Sequence, residues 1–259
     1  MIHAARPDPA RTVSAPSQAG PGSAGPGLAD PDPGRPGAAR PARTVPEWAI
    51  ISAGLTPVLL AAAWLTAGAL QPASYSPIRQ TVSVLAGYGG TDRWIVTGAL
   101  FVVGGCHFVT AAGLSGVRMC ARLLLLVAGL SSIGIAASPE PVHGSAWQHV
   151  AWAVLGAVTI AVWPAFVARG SPSRSAILNV YCSAAVTAVF VALLAWLFIQ
   201  TQGGSDLGLA ERLTSGVETT WPFVVAVALR CTASWKTPAP PGAPSPDPDS
   251  SRSRASCRS

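Results

Sequence analysis

Long apolar runs alternate with short polar segments along most of the chain. Six windows, at residues 48–70, 94–116, 121–138, 147–168, 177–200 and 217–235, reach or approach the roughly 20 apolar residues that a helix needs to cross a bilayer core. The third is the shortest. The sixth carries Glu218 and Arg230 towards its ends, where long charged side chains can reach the interface. The pattern predicts an all-α fold: an integral membrane bundle of six transmembrane helices over residues 47–235. Three polar segments, 74–90, 138–149 and 206–222, interrupt the apolar runs and hold nearly every candidate functional side chain.

Composition agrees with a membrane chain. Half of the 259 residues are hydrophobic and only 11% are charged, too apolar a balance for an ordinary soluble domain. Residues 1–46 and 236–259 are Pro/Gly/Ala/Arg- and Pro/Ser-rich, without an apolar stretch that could bury enough surface to offset chain entropy. Both are expected to be disordered tails, and the first lacks the apolar core of a signal peptide.

Orientation follows from the basic residues, which resist translocation. With the amino terminus inside, only Arg79, Arg93 and Arg212 of the 17 Lys and Arg residues fall on the outer side. Trp94, Trp147 and Trp196 then sit near outer helix ends and Trp48 and Trp235 near inner ones, as an interfacial belt requires. The expectation is a multi-pass protein of the inner (plasma) membrane, both termini cytoplasmic, with all three polar segments on the outer face. Membrane lipids are the expected partners. The net charge of +6 gathers in the tails and inner loops, where anionic lipid would attract it. Nucleic acid is not expected, because the basic residues are not interleaved with aromatics on a folded surface.

Each polar segment carries its own chemistry. In the first, Ser76-Pro77 predicts a helix start and Gly87 its end. Ile78, Val82 and Leu85 would share one face, with Ser76, Arg79 and Ser83 on another. Arg79 is then placed to bind a lipid phosphate or to pair with a carboxylate of another loop. In the second, Pro139 and Pro141 favour extended chain and Gly144 a tight turn. Glu140, His143 and His149 there are candidates for acid–base work, and the two histidines for metal binding, although six residues of spacing puts them on different helical faces. In the third, Glu211, Ser215, Glu218 and Pro222 recur at i, i+4, i+7 and i+11, a polar stripe expected to face the bundle interior. Arg212 lies beside it, and a cross-loop ion pair of Arg79 with Glu211 or Glu218 is the preferred organising contact.

Two features lie within the spans. His107 falls past the middle of the second, where an ionisable group suggests function, although a neutral imidazole bonded to a carbonyl is the commoner case. Gly98, Gly105 and Ala112 at heptad spacing predict close approach of a neighbouring helix. Cys106, Cys120, Cys182 and Cys231 lie in spans or at their inner ends, and Cys257 in the inner tail. They read as small apolar residues and not as a disulfide framework.

The order of a first span, Arg79-x-Thr81-x-Ser83-x-Leu85, then Pro141, His143-Gly144 and His149 opening the fourth span, then Gly208-Leu209-x-Glu211-Arg212 and Trp221, resembles a bacterial membrane family. That family is called domain of unknown function 998. The resemblance covers residues 48–232 and implies a six-helix membrane protein without supplying an activity.

No nucleophile elbow, HExxH, phosphate-binding glycine loop or cofactor motif is present. Two classes remain open. One is a lipid-binding or lipid-modifying protein using Arg79, Glu140, His143, His149, Glu211 and Arg212. The other is a small transporter or non-catalytic module with a polar interior path that includes His107.

Overall fold

The computed structural model describes residues 44–167 and 176–234. Apart from residues 44–46, both expected tails lie outside the described residues, as do Arg169, Arg174, Trp235 and Cys257. Seven α-helices make up the described part: α1 Glu47–Ala69, α2 Val82–Ala86, α3 Trp94–Gly113, α4 Met119–Ala137, α5 Trp147–Val167, α6 Val180–Thr201 and α7 Leu207–Ser234. A single 3-10 turn, Ala176–Leu178, precedes α6. No strand occurs among the described residues.

The six long helices close into a ring. Each packs against the next in chain order, α1 on α3, α3 on α4, and so on to α6 on α7, and α7 then returns to α1. Short connections force neighbours to run antiparallel, so all three polar segments gather at one end of the ring. There α2 touches α1, α3 and α7 and sits across the opening.

Small residues allow the tightest crossings. Gly104 and Gly129 bring α3 onto α4, where an added Cβ on Gly129 would stand 2.7 Å from the Gly104 carbonyl oxygen. Gly113 likewise admits Ala49 of α1. The expected Gly98 and Gly105 stripe does not serve this purpose, since a Cβ at either would meet open space. The stripe lies one residue out of register with the true contact face, because α3 packs on two neighbours at once.

Five helices, α1, α3, α4, α5 and α6, are long and apolar enough to cross a membrane. Their outward faces carry exposed Val58, Leu65, Leu130, Val154, Phe198 and Ile199. An apolar girdle of that extent would drive aggregation in water and is matched to hydrocarbon. The expected count of six is met by six long helices but by only five of that apolarity. Helix α7 differs because Glu211, Arg212, Glu218 and Arg230 all lie within it. It is one continuous helix that starts ten residues before the apolar window at 217, so Glu218 stands mid-helix and not at an end.

Two cores hold the ring. The larger unites Ala49, Ala53, Ala111, Leu114, Leu125, Trp163, Val225 and Leu229 at the end remote from the polar segments, with the Trp163 indole N–H donating to the Ala121 carbonyl at 2.8 Å. The smaller packs Ala63, Ala67, Val82, Leu85, Ala86 and Val96 beneath α2. Between the two cores the ring encloses a cavity of about 190 Å³.

Candidate functional site

The first polar segment does not form the helix expected from Ser76. Residues 76–80 make a turn, closed by the Arg79 and Gln80 amides on the Ser76 carbonyl, and helix starts only at Val82. Thr81 stays extended at its N-cap and Gly87 ends it. The cause lies in α7. Arg212 Nη1 donates to the carbonyls of Pro77 at 2.7 Å, Gln80 at 2.9 Å and its own Gly208 at 2.8 Å, while Nη2 donates to the Tyr75 hydroxyl at 2.5 Å. The Leu209 amide donates to the Ile78 carbonyl at 3.0 Å. The extended backbone at Thr81 then separates that turn from α2.

Glu211, one residue earlier, grips the other half of the segment. Its Oε2 accepts the Val82 amide at 2.5 Å and its Oε1 faces the Ser83 hydroxyl at 3.4 Å. Adjacent side chains of α7 thus hold opposite polarities of one loop, cation on carbonyls and carboxylate on an amide. Gly208 permits the approach, since a Cβ there would collide with the Gln80 carbonyl and stand 2.6 Å from that of Pro77.

The preferred Arg79–Glu211 ion pair is not made. Arg79 is exposed, and the ion pairs among the described residues are Arg230–Glu47 at 2.6 Å and the longer His149–Glu140 contact. The cation that binds this segment is Arg212 instead. The third expected outward cation, Arg93, lies over the rings of Tyr88 and Trp94.

The second segment joins the same cluster. The Tyr88 amide donates to the Glu140 carbonyl at 2.9 Å, and Gly144 takes the left-handed φ of 80° that its turn requires. His149, 2% exposed, has both ring nitrogens engaged: Nδ1 lies 2.8 Å from the Ser138 carbonyl and Nε2 2.9 Å from Ser83 Oγ. A carbonyl only accepts, so Nδ1 carries the hydrogen and neutral His149 offers Nε2 as acceptor to the Ser83 hydroxyl. Glu140 Oε1 stands 3.9 Å from Nε2. His143, by contrast, is exposed in the turn and apart from His149's partners. No group of three or more His, Cys, Asp or Glu among the described residues is arranged to hold a metal.

Of the six candidates, the structure brings together Glu140, His149, Glu211 and Arg212, and leaves Arg79 and His143 at the surface. Ser83 and Tyr75 join them without having been singled out. Ser83 had a signal in the Arg79-x-Thr81-x-Ser83 order, whereas Tyr75 had none.

Burial raises the Glu211 carboxyl from the ordinary 4.5 to about 7, and neighbouring Glu140 adds to the rise. The Val82 amide, Arg212 and Ser83 oppose it. A protonated Glu211 can donate to Ser83 Oγ, whose own proton then goes to His149, giving a chain of consistent polarity from Glu211 to the Ser138 carbonyl. The folded protein therefore holds this proton more tightly than the unfolded chain. Its contribution to stability is full below about pH 4.5 and is lost as pH rises through about 7. Thermal unfolding in detergent across that range should show the loss in the wild type, and Glu211→Gln should flatten the slope. Parallel profiles for the two proteins would refute this assignment.

Below the cluster lies the cavity, to which all seven helices contribute. Ser83, Glu211, Ser215 and Glu218 line it together with apolar Leu60, Leu100, Val103, Ile135 and Ile160. The expected inward stripe of α7 is present: Glu211, Ser215 and Glu218 all face this space. His107 lines it too, 3% exposed and without the carbonyl bond expected of a structural imidazole.

A ring of apolar helices with polar groups drawn to one end and into an internal cavity defines a multi-pass membrane protein. Residues 55–228 match the family model described as Protein of unknown function (DUF998), and the chain belongs to that family. No curated protein and no solved structure gives a significant match to it.

Proposed function

We propose that the protein binds a membrane amphiphile in its central cavity. The observation that carries this reading is the cavity's two-sided lining: the polar stripe Glu211, Ser215, Glu218 of α7 faces an apolar wall of Leu100, Val103, Ile135 and Ile160. A headgroup on the stripe and an alkyl chain along the wall would satisfy both surfaces at once. In this reading α7 is the sixth span, since 28 residues at about 1.5 Å each exceed a hydrocarbon core and α7 closes the ring. The cluster faces outward and both termini are cytoplasmic, which the distribution of basic residues supports. Membrane lipid supplies the ligand.

Ala157 of α5 lines the cavity, and Ala157→Phe would fill it. Mass spectrometry of lipid retained by detergent-purified protein should find a bound amphiphile in the wild type, reduced about tenfold or more in the variant. Equal retention would sink the reading.

A second reading, lipid-modifying chemistry, is favoured by the Ser83–His149 contact. A hydroxyl 2.9 Å from an imidazole nitrogen, with the other nitrogen anchored on the Ser138 carbonyl, has the geometry of a nucleophile beside its base. A fluorophosphonate probe should label the wild type at Ser83 and fail on Ser83→Ala and His149→Gln. Absence of wild-type labelling would reject the chemistry and leave binding intact.

A further inference from the structure

The cavity is acidic in a way the outer cluster does not explain. Glu218 is 3% exposed and its Oε1 has no hydrogen-bond partner, yet it faces the cavity. Burying an unpaired carboxyl costs free energy unless a ligand completes it. Glu211 lines the same space, and Glu140 stands close enough to act on it electrostatically. Among the described residues no Lys or Arg lines the cavity, and His107 is its one basic group. Arg212, which could have neutralised the stripe, spends its guanidinium on three carbonyls and Tyr75.

The surroundings of Glu218 decide what kind of cation suits it. A small inorganic cation needs several oxygen ligands, and calcium six to eight. The lining offers chiefly Leu60, Val103, Ala128, Ile160 and the indole of Trp64. Among the described residues no three His, Cys, Asp or Glu side chains are grouped to hold a metal ion. An alkylammonium group fits better, because its charge can pair with Glu218 while its methylenes pack on the aliphatic wall and Trp64 offers a π face.

Resting on the amphiphile reading above, we propose that the headgroup bound in the cavity is a protonated amine paired with Glu218. The test compares three probes of one chain length, octylamine, octan-1-ol and octanoate, titrated near neutral pH into the full-length protein in detergent. Calorimetry reports binding. Octylamine should bind the wild type at least about tenfold more tightly than octan-1-ol, with octanoate weakest. Glu218→Gln, which keeps the side-chain shape, should lower octylamine affinity to about that of octan-1-ol and so remove the preference for the amine. If octan-1-ol or octanoate binds the wild type as tightly as the amine, the charge assignment is overturned and the cavity reading survives. If none of the three binds, or if Ala157→Phe binds all three as well as the wild type, the cavity reading itself fails.

Discussion

Arg212→Ala should release the segment from Tyr75 to Thr81 and lower stability by about 3–5 kcal/mol. Three hydrogen bonds from one guanidinium, to Pro77, Gln80 and Tyr75, hold that segment, and bonds to charged groups contribute roughly 1.5–3 kcal/mol each. The sum is discounted because the turn lies at the surface, where water replaces part of what is lost. Lysine should not rescue, since an ammonium lacks the planar fork that reaches several carbonyls and Tyr75 together. Gly208→Ala offers an independent route to the same outcome, by pushing α7 away from the Gln80 carbonyl without changing charge. Both variants should lower the unfolding temperature in detergent and speed hydrogen exchange at residues 76–82, leaving α4 and α5 protected. Wild-type exchange at these amides in Arg212→Ala would show that the latch is not made in solution.

The latch also shows how far the residues could be read without the structure. Apolar length located the spans, and each helix end in α1 and α3–α6 falls within a few residues of its window, because a bilayer leaves a helix little choice. Charge bias gathered the three polar segments on one side, and they do meet. What periodicity could not resolve was which of two arginines turns inward. Arg79 and Arg212 look alike in sequence; Arg212 and Glu211 of α7 hold the Tyr75–Val82 segment as a turn followed by a short helix, while Arg79 stays exposed. A local helix signal lost to a contact 129 residues away, and no local pattern carries that information. The start of α7 was hidden for the opposite reason: its first ten residues are too polar to read as a span, yet they are helical because their polar side bonds to the loop and lines the cavity. His149 was legible as an imidazole at the head of a span, but its partners Ser83 and Ser138 lie on two other elements.

Glu218→Met should make the protein more stable, by about 1–3 kcal/mol, which is the usual cost of a buried polar group without a partner. Methionine has a similar length, needs no hydrogen bond and matches the aliphatic lining, so it removes the desolvation penalty without opening a void. A purely structural glutamate would give the reverse result. Surface and core carboxylates that hold a fold together lose stability when replaced, as Glu211 should, because they leave a donor unmet. Glu218 leaves none, for no group among the described residues donates to the orphaned Oε1. A chain that keeps such a residue mid-helix, facing a largely apolar cavity, sacrifices stability for something other than folding. The measurement is paired: unfolding temperature in detergent, and octylamine affinity, on the same Glu218→Met preparation. A rise in the first with loss of the second ties the cost to the ligand. A fall in stability would mean that Glu218 is satisfied in the folded protein, by a bound water or a moved side chain, and the case for an amine in the cavity would lose its foundation.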